Sequence, residues 1–135
     1  MNNEKDNVYD LVEDFYAHDE GWNTLLRQEY AEGFLRMEAW KGKKNSDLYR
    51  SWDNLTMLCL YLGSAETFLG DMNADDFIDC IAWCGRNISE FTPDYKNTQD
   101  FLETCDGLFK YLKGKNAISN DTVPGTAAEI LLQEG

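Results

Sequence analysis

Residues 22–40 read WNTLLRQEYAEGFLRMEAW, and this stretch indicates how the chain folds. Its large apolar side chains recur every three to four residues, which is the spacing that lines one face of an α-helix. The pattern predicts a helix from about Trp22 to Lys41. Its apolar stripe consists of Trp22, Leu25, Leu26, Tyr30, Phe34, Met37 and Trp40.

The same spacing returns along the rest of the chain, and no strand alternation or internal repeat stands out. A first helix is predicted from about Asn7 to Ala17, so that residues 7–41 form an N-terminal helical hairpin. A four-helix core is predicted over residues 46–135. We therefore expect an all-α protein, a single compact domain of five to six helices spanning residues 1–135.

Capping residues set the predicted bounds of the third and fourth helices. Ser46 is the predicted N-cap of the third helix, which is expected to stop at Gly63. One further helical turn is predicted within residues 64–72. Asn73 is the predicted N-cap of the fourth helix, because acidic residues follow it in the first turn, where the helix dipole favours negative charge.

Similar signals bound the last two helices. Thr92 followed by Pro93 is a typical helix start, and Gly114 is expected to end the fifth helix. Thr126 and Glu129 have the spacing of a capping box, with an apolar run directly behind them. We therefore expect the C-terminal segment to form a docked helix.

The surface charge limits the partners that the protein can bind. The 135 residues include 25 Asp and Glu against 12 Lys and Arg, a formal net charge of −13. Residues 51–80 contain six acids and no base, whereas residues 36–50 carry a local excess of +3. An acidic surface repels phosphate backbones over a Debye length of about 8 Å. Nucleic-acid binding is therefore disfavoured outside a local basic patch.

Neither a membrane span nor a secretory signal is recognisable in the sequence. The longest strongly apolar run, residues 55–63, is far shorter than the roughly 20 residues that a membrane-spanning helix needs. The first residues lack the basic start and apolar stretch of a signal peptide. We expect a cytoplasmic protein with no membrane partner.

The four cysteines fall on predicted apolar helix faces, where a free thiol behaves as a small hydrophobic group. A thiolate metal site and a disulfide are the alternatives. Structural zinc sites usually take ligand pairs from turns, and disulfides are rare in the cytoplasm. We expect buried core thiols, with no metal and no cofactor, at Cys59, Cys80, Cys84 and Cys105.

No set of residues with catalytic spacing stands out. His18 is the single histidine, so acid–base catalysis through it is the weakest of the alternatives. Residues 71–76 begin like a calcium-binding loop, but Asp76 stands where such a loop needs glycine, and Ala82 stands where it needs glutamate. We therefore expect a protein that is not an enzyme.

Aromatic residues are more abundant than a core of this size needs, and aromatic side chains are common anchors of protein interfaces. Four of them lie off the predicted inner stripes. We expect these four to bind a protein partner, with a homodimer as one form of that interaction: Tyr9, Tyr49, Tyr61 and Trp83.

The order of several short stretches in residues 46–119 resembles that of a known DNA-binding domain. They are SDLYRSWDNL at 46–55, YLG at 61–63, DMNADDFI at 71–78 and LFKYL at 108–112. This order is similar to that of the N-terminal core-binding, SAM-like domain of tyrosine recombinases and phage integrases. The resemblance implies a SAM-like helical bundle and a DNA-associated accessory module. The catalytic domain of that family is absent from this chain, so strand exchange is excluded.

A DNA-associated module of this kind implies cations that contact phosphate. The helix dipole explains two of these, Lys110 and Lys113, equally well. A third hypothesis is an acidic nucleic-acid mimic, for which the base-free residues 51–80 are the best support. The cations that could touch DNA are Lys41, Lys43, Lys44, Arg50, Lys110 and Lys113.

Overall fold

The computed structural model describes the backbone of residues 28–132 and the side chains of residues 33–132. The predicted first helix, with Tyr9, and residues 22–27 of the predicted second helix lie outside this part. The described residues contain no strand, and the predicted all-α bundle is confirmed. Its elements are α1 (Gln28–Trp40), α2 (Asn45–Ala65), a 3-10 turn (Leu69–Asp71), α3 (Ala74–Asn87), α4 (Tyr95–Gly114) and α5 (Val123–Leu132).

Helices α2 and α4 lie at the centre of the bundle. Helix α4 packs against α1, α2 and α5, and α2 packs against α1, α3 and α4, while α3 also packs against α5. Aromatic pairs join the helices through the core. Phe77 of α3 meets Phe109 of α4 edge-on, with ring centroids 5.5 Å apart. Phe34 of α1 meets Tyr111 of α4, with ring centroids 6.2 Å apart. Burial of these rings removes apolar area from water and drives the helices together.

The predicted apolar stripe of α1 is correct in its middle and wrong at its end. Phe34 is buried and Met37 is half-buried, as expected of residues that face the core. Trp40, the last residue of the helix, is instead 88% exposed. Ala39 rather than Trp40 packs against Leu48 of α2, so the bulky indole is left on the solvent side.

The predicted cap of α3 is confirmed in atomic detail. The Asn73 side chain accepts a hydrogen bond from the Asp76 backbone N–H at 2.9 Å. The Asp76 carboxylate in turn accepts one from the Asn73 backbone N–H, also at 2.9 Å. This reciprocal pair is a capping box, which satisfies two backbone donors at the helix start.

The predicted ends of α2 were wrong by two residues on each side. The N-cap is Lys44 rather than Ser46, and the helix continues through Gly63 to Ala65. The left-handed conformation that ends the helix is taken by Glu66, with φ of 56°, and its N–H donates to the Leu62 carbonyl. The predicted further turn of helix follows as the 3-10 turn.

The start of α4 also differs from its prediction, although its end at Gly114 is confirmed. Asp94 rather than Thr92 is the N-cap, because its carboxylate accepts a hydrogen bond from the Asn97 backbone N–H at 2.8 Å. Pro93 is therefore not in the first turn. The Pro93 ring packs closely against Gly85 of α3. A Cβ atom added at Gly85 would lie only 2.8 Å from the Pro93 ring.

The docked C-terminal helix is confirmed, but its capping box is not. Helix α5 begins at Val123 and packs against α3 and α4. Thr126 lies inside the helix, where its hydroxyl donates to the Thr122 carbonyl at 3.1 Å. A hydroxyl bonded back to the preceding turn cannot cap the N–H groups ahead of it.

All four cysteines are buried free thiols, as predicted. Burial raises the pKa of Cys59 to about 12 and holds the pKa of Cys105 well above its ordinary value. Cys59 and Cys105 are therefore protonated near neutral pH, and a protonated thiol is a poor nucleophile.

Among the helices of the described part of the chain, none combines the length and apolar character that crossing a membrane requires.

Candidate functional site

The solvent side of α2 carries two large apolar side chains in line with each other. Tyr49 and Leu60 are 43% and 47% exposed. Their separation of 11 positions corresponds to about 16 Å along the helix and about 20° of rotation around it. Asp53 lies between them, one turn after Tyr49. We call Tyr49, Asp53 and Leu60 the outer stripe of α2.

A groove of about 490 Å³ runs beside this stripe, between α2, the segment that joins α3 to α4, and the first turns of α4. We call it the α2–α4 groove. Its walls combine apolar side chains with charged ones, which is the usual composition of a surface that binds and orients a ligand. The apolar lining residues are Met57, Leu60, Ile88 and Phe91, and the charged ones are Arg50, Asp53, Glu90, Lys96 and Asp100.

Polar side chains join α2 to α4 along one wall of the groove. Asn54 is only 4% exposed, and its Nδ2 donates to the Asp100 carboxylate at 3.1 Å and to Thr104 Oγ1 at 2.9 Å. Thr104 in turn donates to the Asp100 carbonyl at 3.2 Å. A buried amide left without these partners would cost free energy, so this small network fixes how α2 and α4 meet.

A smaller cavity of about 270 Å³ continues from the same wall toward the turn between α1 and α2. Arg50 and Asp100 line both cavities, and Arg50 Nη1 lies 3.8 Å from Asp100 Oδ1. In the smaller cavity, Lys43 pairs with Glu38 and donates to Ser51 Oγ at 3.3 Å. The two cavities therefore share a wall formed by Arg50 and Asp100.

Asp53 differs from the other carboxylates of the groove. Partial burial raises the pKa of Asp53 above its ordinary value of 3.8, and desolvation is the cause. Within residues 33–132, no ion pair joins it to a lysine or arginine. The groove therefore holds a partly desolvated carboxylate that has no ion-pair partner among residues 33–132, although Arg50 and Lys96 also line the groove.

The predicted partner-binding residues divide between surface and core. Tyr49 is exposed and lies on the outer stripe. Tyr61 is 4% exposed, which corrects its prediction as a surface residue. Its hydroxyl donates to Asp79 at 3.0 Å, and its ring meets half-buried Trp83 edge-on, with centroids 5.9 Å apart.

The physical reason for this correction is the position of α2 in the bundle. Helices α1, α3 and α4 all pack against it, so its buried face is wider than one apolar stripe. Tyrosine suits such a boundary position, because its ring can be buried while its hydroxyl finds a polar partner. Burial, reinforced by the hydrogen bond to Asp79, raises the pKa of Tyr61 above its ordinary value.

The six cations of the DNA hypothesis form two groups. Lys41 and Lys44 are exposed near Lys43 and Arg50, at the turn between α1 and α2. The other two lie toward the C-terminal end of α4, with Lys110 roughly 15 Å along the helix from Asp100, the partner of Arg50. Four of the six face carboxylates: Lys43 with Glu38, Arg50 with Asp100, Lys110 with Asp106 and Lys113 with Asp121.

The sequence prediction missed the groove residues Asp53, Asn54 and Leu60. One signal for them is present in the sequence. Ser51 and Asn54 are three residues apart, beside the apolar stripe of α2, and both are buried. Polar side chains at buried helical positions require partners on a neighbouring helix, and such partners lie at a polar interface.

Across residues 33–132, no group of three or more histidine, cysteine, aspartate or glutamate side chains is placed to hold a metal ion. The segment that begins like a calcium loop, residues 71–76, forms the 3-10 turn and the capping box of α3 instead.

The described residues form an all-α bundle, and a groove lined by both polar and apolar side chains lies beside its second helix. Comparisons with protein-family models, with curated proteins and with solved structures find no match to this chain.

Proposed function

We propose that the protein is a non-enzymatic interaction module that binds a partner protein along the outer stripe of α2 and the α2–α4 groove. The observation that carries this proposal is the alignment of Tyr49 and Leu60 on one line of α2, directly beside a groove of about 490 Å³. Exposed apolar side chains next to a concave surface are typical of protein-binding sites.

The charge of the chain favours a basic partner. Two copies of a chain with a formal charge of −13 repel each other, so a homodimer through this surface is disfavoured. A partner segment with positive side chains is attracted by the same field, which also speeds its association. We therefore propose a different protein, with a basic segment, rather than a second copy of this chain.

The DNA-associated alternative receives less support. The cations expected to contact phosphate lie in two groups, and Lys43, Arg50, Lys110 and Lys113 each face a carboxylate. Binding DNA would require phosphates to compete with these carboxylates against an unfavourable net charge.

A pair of double variants tests the proposed surface. Tyr49→Ser with Leu60→Ser removes both apolar side chains of the outer stripe. Phe68→Ser with Ile130→Ser removes two side chains of similar exposure, 57% and 45%, elsewhere on the molecule. Each protein is immobilised and exposed to lysate of the source cells at low and at high salt, with and without nuclease, and captured proteins are identified by mass spectrometry.

The proposal expects a protein that wild type and the control variant both capture and that the stripe variant loses by about tenfold, a difference of about 1.4 kcal/mol in binding. Circular dichroism checks that all three proteins have the same helix content. If the stripe variant captures every protein that wild type captures, the proposed surface is wrong. If capture is lost after nuclease treatment, the protein-binding proposal is wrong and the DNA-associated alternative is supported.

A further inference from the structure

The α2–α4 groove has the chemistry to recognise one particular side chain, and this inference rests on the proposed function. We propose that the groove binds an arginine of the partner segment, whose guanidinium takes Asp53 and the Asn54–Asp100 pair as acceptors. Its aliphatic part and the neighbouring residue of the segment lie over the apolar wall of Met57 and Leu60.

Three side chains supply acceptors without a full set of donors. Asp53 has no lysine or arginine partner among the described residues. Asn54 uses its Nδ2 as a donor to α4, and no hydrogen bond from residues 33–132 reaches its Oδ1. Asp100 accepts from Asn54 and lies near Arg50. A guanidinium, with five N–H donors in a planar fork, matches several such acceptors better than an ammonium group does.

Because Asp53 is partly desolvated, a cation bound next to it would stabilise its charged form. Partial burial raises its pKa, so the charged carboxylate is less stable here than in water. Neither Arg50 nor Lys96, the two cations that line the groove, forms an ion pair with Asp53, so a bound guanidinium would supply its direct partner and lower the pKa again. Binding would thus relieve an unfavourable feature of the free protein.

Arg50 acts in the free protein as an internal substitute for the ligand. Its Nη1 lies 3.8 Å from Asp100 Oδ1, beyond the 2.7–3.2 Å of a formed N–H···O hydrogen bond, and its side chain is 52% exposed. Such a loose surface pair contributes little stability. Arg50 can therefore turn into solvent when a guanidinium approaches. As long as it stays beside Asp100, its positive charge opposes the binding of a second guanidinium.

The apolar wall of the groove selects for the aliphatic part of the arginine and for an apolar residue next to it. Ile88 and Phe91 face the groove from the segment before α4, opposite Met57 and Leu60 of α2. An arginine flanked by leucine fills such a space, because its three methylenes pack on apolar surface while its charged end reaches the acceptors. A guanidinium over the Phe91 ring would gain a cation–π contact as well.

The probe is the peptide acetyl-Leu-Arg-Leu-amide, and its matched control carries citrulline, a neutral isostere, in place of arginine. Both are titrated into the full ¹⁵N-labelled chain and followed by ¹H–¹⁵N NMR spectra. The proposal expects shifts concentrated on amides of residues 50–60 and 88–100, with citrulline binding weaker by about fivefold or more. Shifts spread evenly over all acidic surfaces, or equal binding of the two peptides, would overturn it.

Two pairs of variants separate recognition from general attraction. Asp53→Asn is expected to weaken arginine-peptide binding by about fivefold, whereas Asp71→Asn, an equal charge change on the exposed 3-10 turn, stays within about twofold. Arg50→Gln is expected to strengthen binding, whereas Lys44→Gln outside the groove has little effect. Equal effects within either pair would show that only net charge matters and would overturn the proposal.

The two proposals fail separately. If the stripe variant loses its captured partner while the arginine peptide does not select the groove, the docking surface stands and the arginine site is wrong. If the peptide selects the groove and Asp53→Asn abolishes this, while captured proteins do not depend on Tyr49 and Leu60, the site stands and the proposed docking surface is wrong.

Discussion

Helix α4 meets its neighbours through two faces of different chemistry. Toward α3, Phe109 packs edge-on against Phe77, with both rings fully buried. Toward α2, Asp100 and Thr104 meet Asn54 through hydrogen bonds, and a groove remains open beside them. One helix thus contributes a closed apolar interface on one side and an open polar one on the other.

This difference separates stability from recognition. Apolar burial is non-directional and gives the larger share of the folding free energy. A hydrogen-bonded interface adds less net stability, but it fixes orientation and keeps polar groups close to a surface that a ligand can reach. The buried contact between Phe77 and Phe109 therefore contributes to the stability of the bundle, and the α2–α4 interface presents the proposed binding surface.

The largest effect is expected on the apolar side. Phe77→Ala leaves a cavity against Phe109 and should lower the free energy of unfolding by about 3–5 kcal/mol, measured by urea denaturation. Phe77→Leu, which keeps most of the volume, is the control and should cost clearly less. A loss below about 1 kcal/mol for the alanine variant would contradict the view that the buried Phe77–Phe109 contact is a major part of the apolar core.

A smaller effect is expected on the polar side. Asn54→Ala removes the donor to Asp100 and Thr104 and should lower the free energy of unfolding by about 1–3 kcal/mol, because buried acceptors lose their partner. Replacing both Asn54 with Leu and Thr104 with Val should cost less than the sum of the single changes, since both ends of one hydrogen bond are then apolar. Strict additivity would mean that the network is not coupled.

The capping box of α3 provides a local reference that belongs to neither interface. Asn73→Ala removes the acceptor for the Asp76 N–H and should cost about 1 kcal/mol. Asn73→Ser retains a capping side chain and should remain close to wild type in the same denaturation experiment. If the two variants are equally destabilised, the loss does not come from the cap.

Much of the fold could be predicted from residue spacing, because apolar stripes and caps are local signals. Asn73 is the clearest example, since its whole effect lies within four residues of chain. The ends of α2 and α4 were less predictable. Helix α2 ends at left-handed Glu66 rather than at the nearby glycine, and α4 is capped by Asp94 rather than by the Thr-Pro pair. Which of two neighbouring signals bounds the helix depends on tertiary packing.

The candidate site was hardly predictable, because it is formed by residues far apart in the chain. Asn54 and Thr104 are 50 residues apart and meet only once α2 lies against α4. Tyr61 illustrates the opposite case, a residue expected at the surface that three packed helices bury. Tyr49 could be selected from its spacing in the sequence. Asp53 is one of 25 acidic residues, and only the geometry of the groove distinguishes it from the other 24.

The smallest effect on stability is expected at Asp53, and it has the opposite sign. Because burial raises its pKa in the folded protein, the folded state holds this proton more tightly than the unfolded chain does. Wild type therefore loses some stability as pH rises through the range between 3.8 and the raised folded-state value. Asp53→Asn lacks this loss, so it should be slightly more stable than wild type at pH 7, by less than about 0.5 kcal/mol.

The difference between Asp53→Asn and wild type should decrease toward zero as the pH falls well below 3.8, where the carboxyl is protonated in both the folded and the unfolded state. Asp71→Asn controls for the change in net charge, and thermal unfolding of the three proteins at several pH values gives the comparison. A residue of a recognition site is expected to lower the stability of the free protein slightly while it strengthens arginine binding. Its unfavourable desolvation is compensated only in the complex. If Asp53→Asn instead destabilises the protein at pH 7, Asp53 supports the fold, and the division between the two faces of α4 is less sharp than the structure indicates.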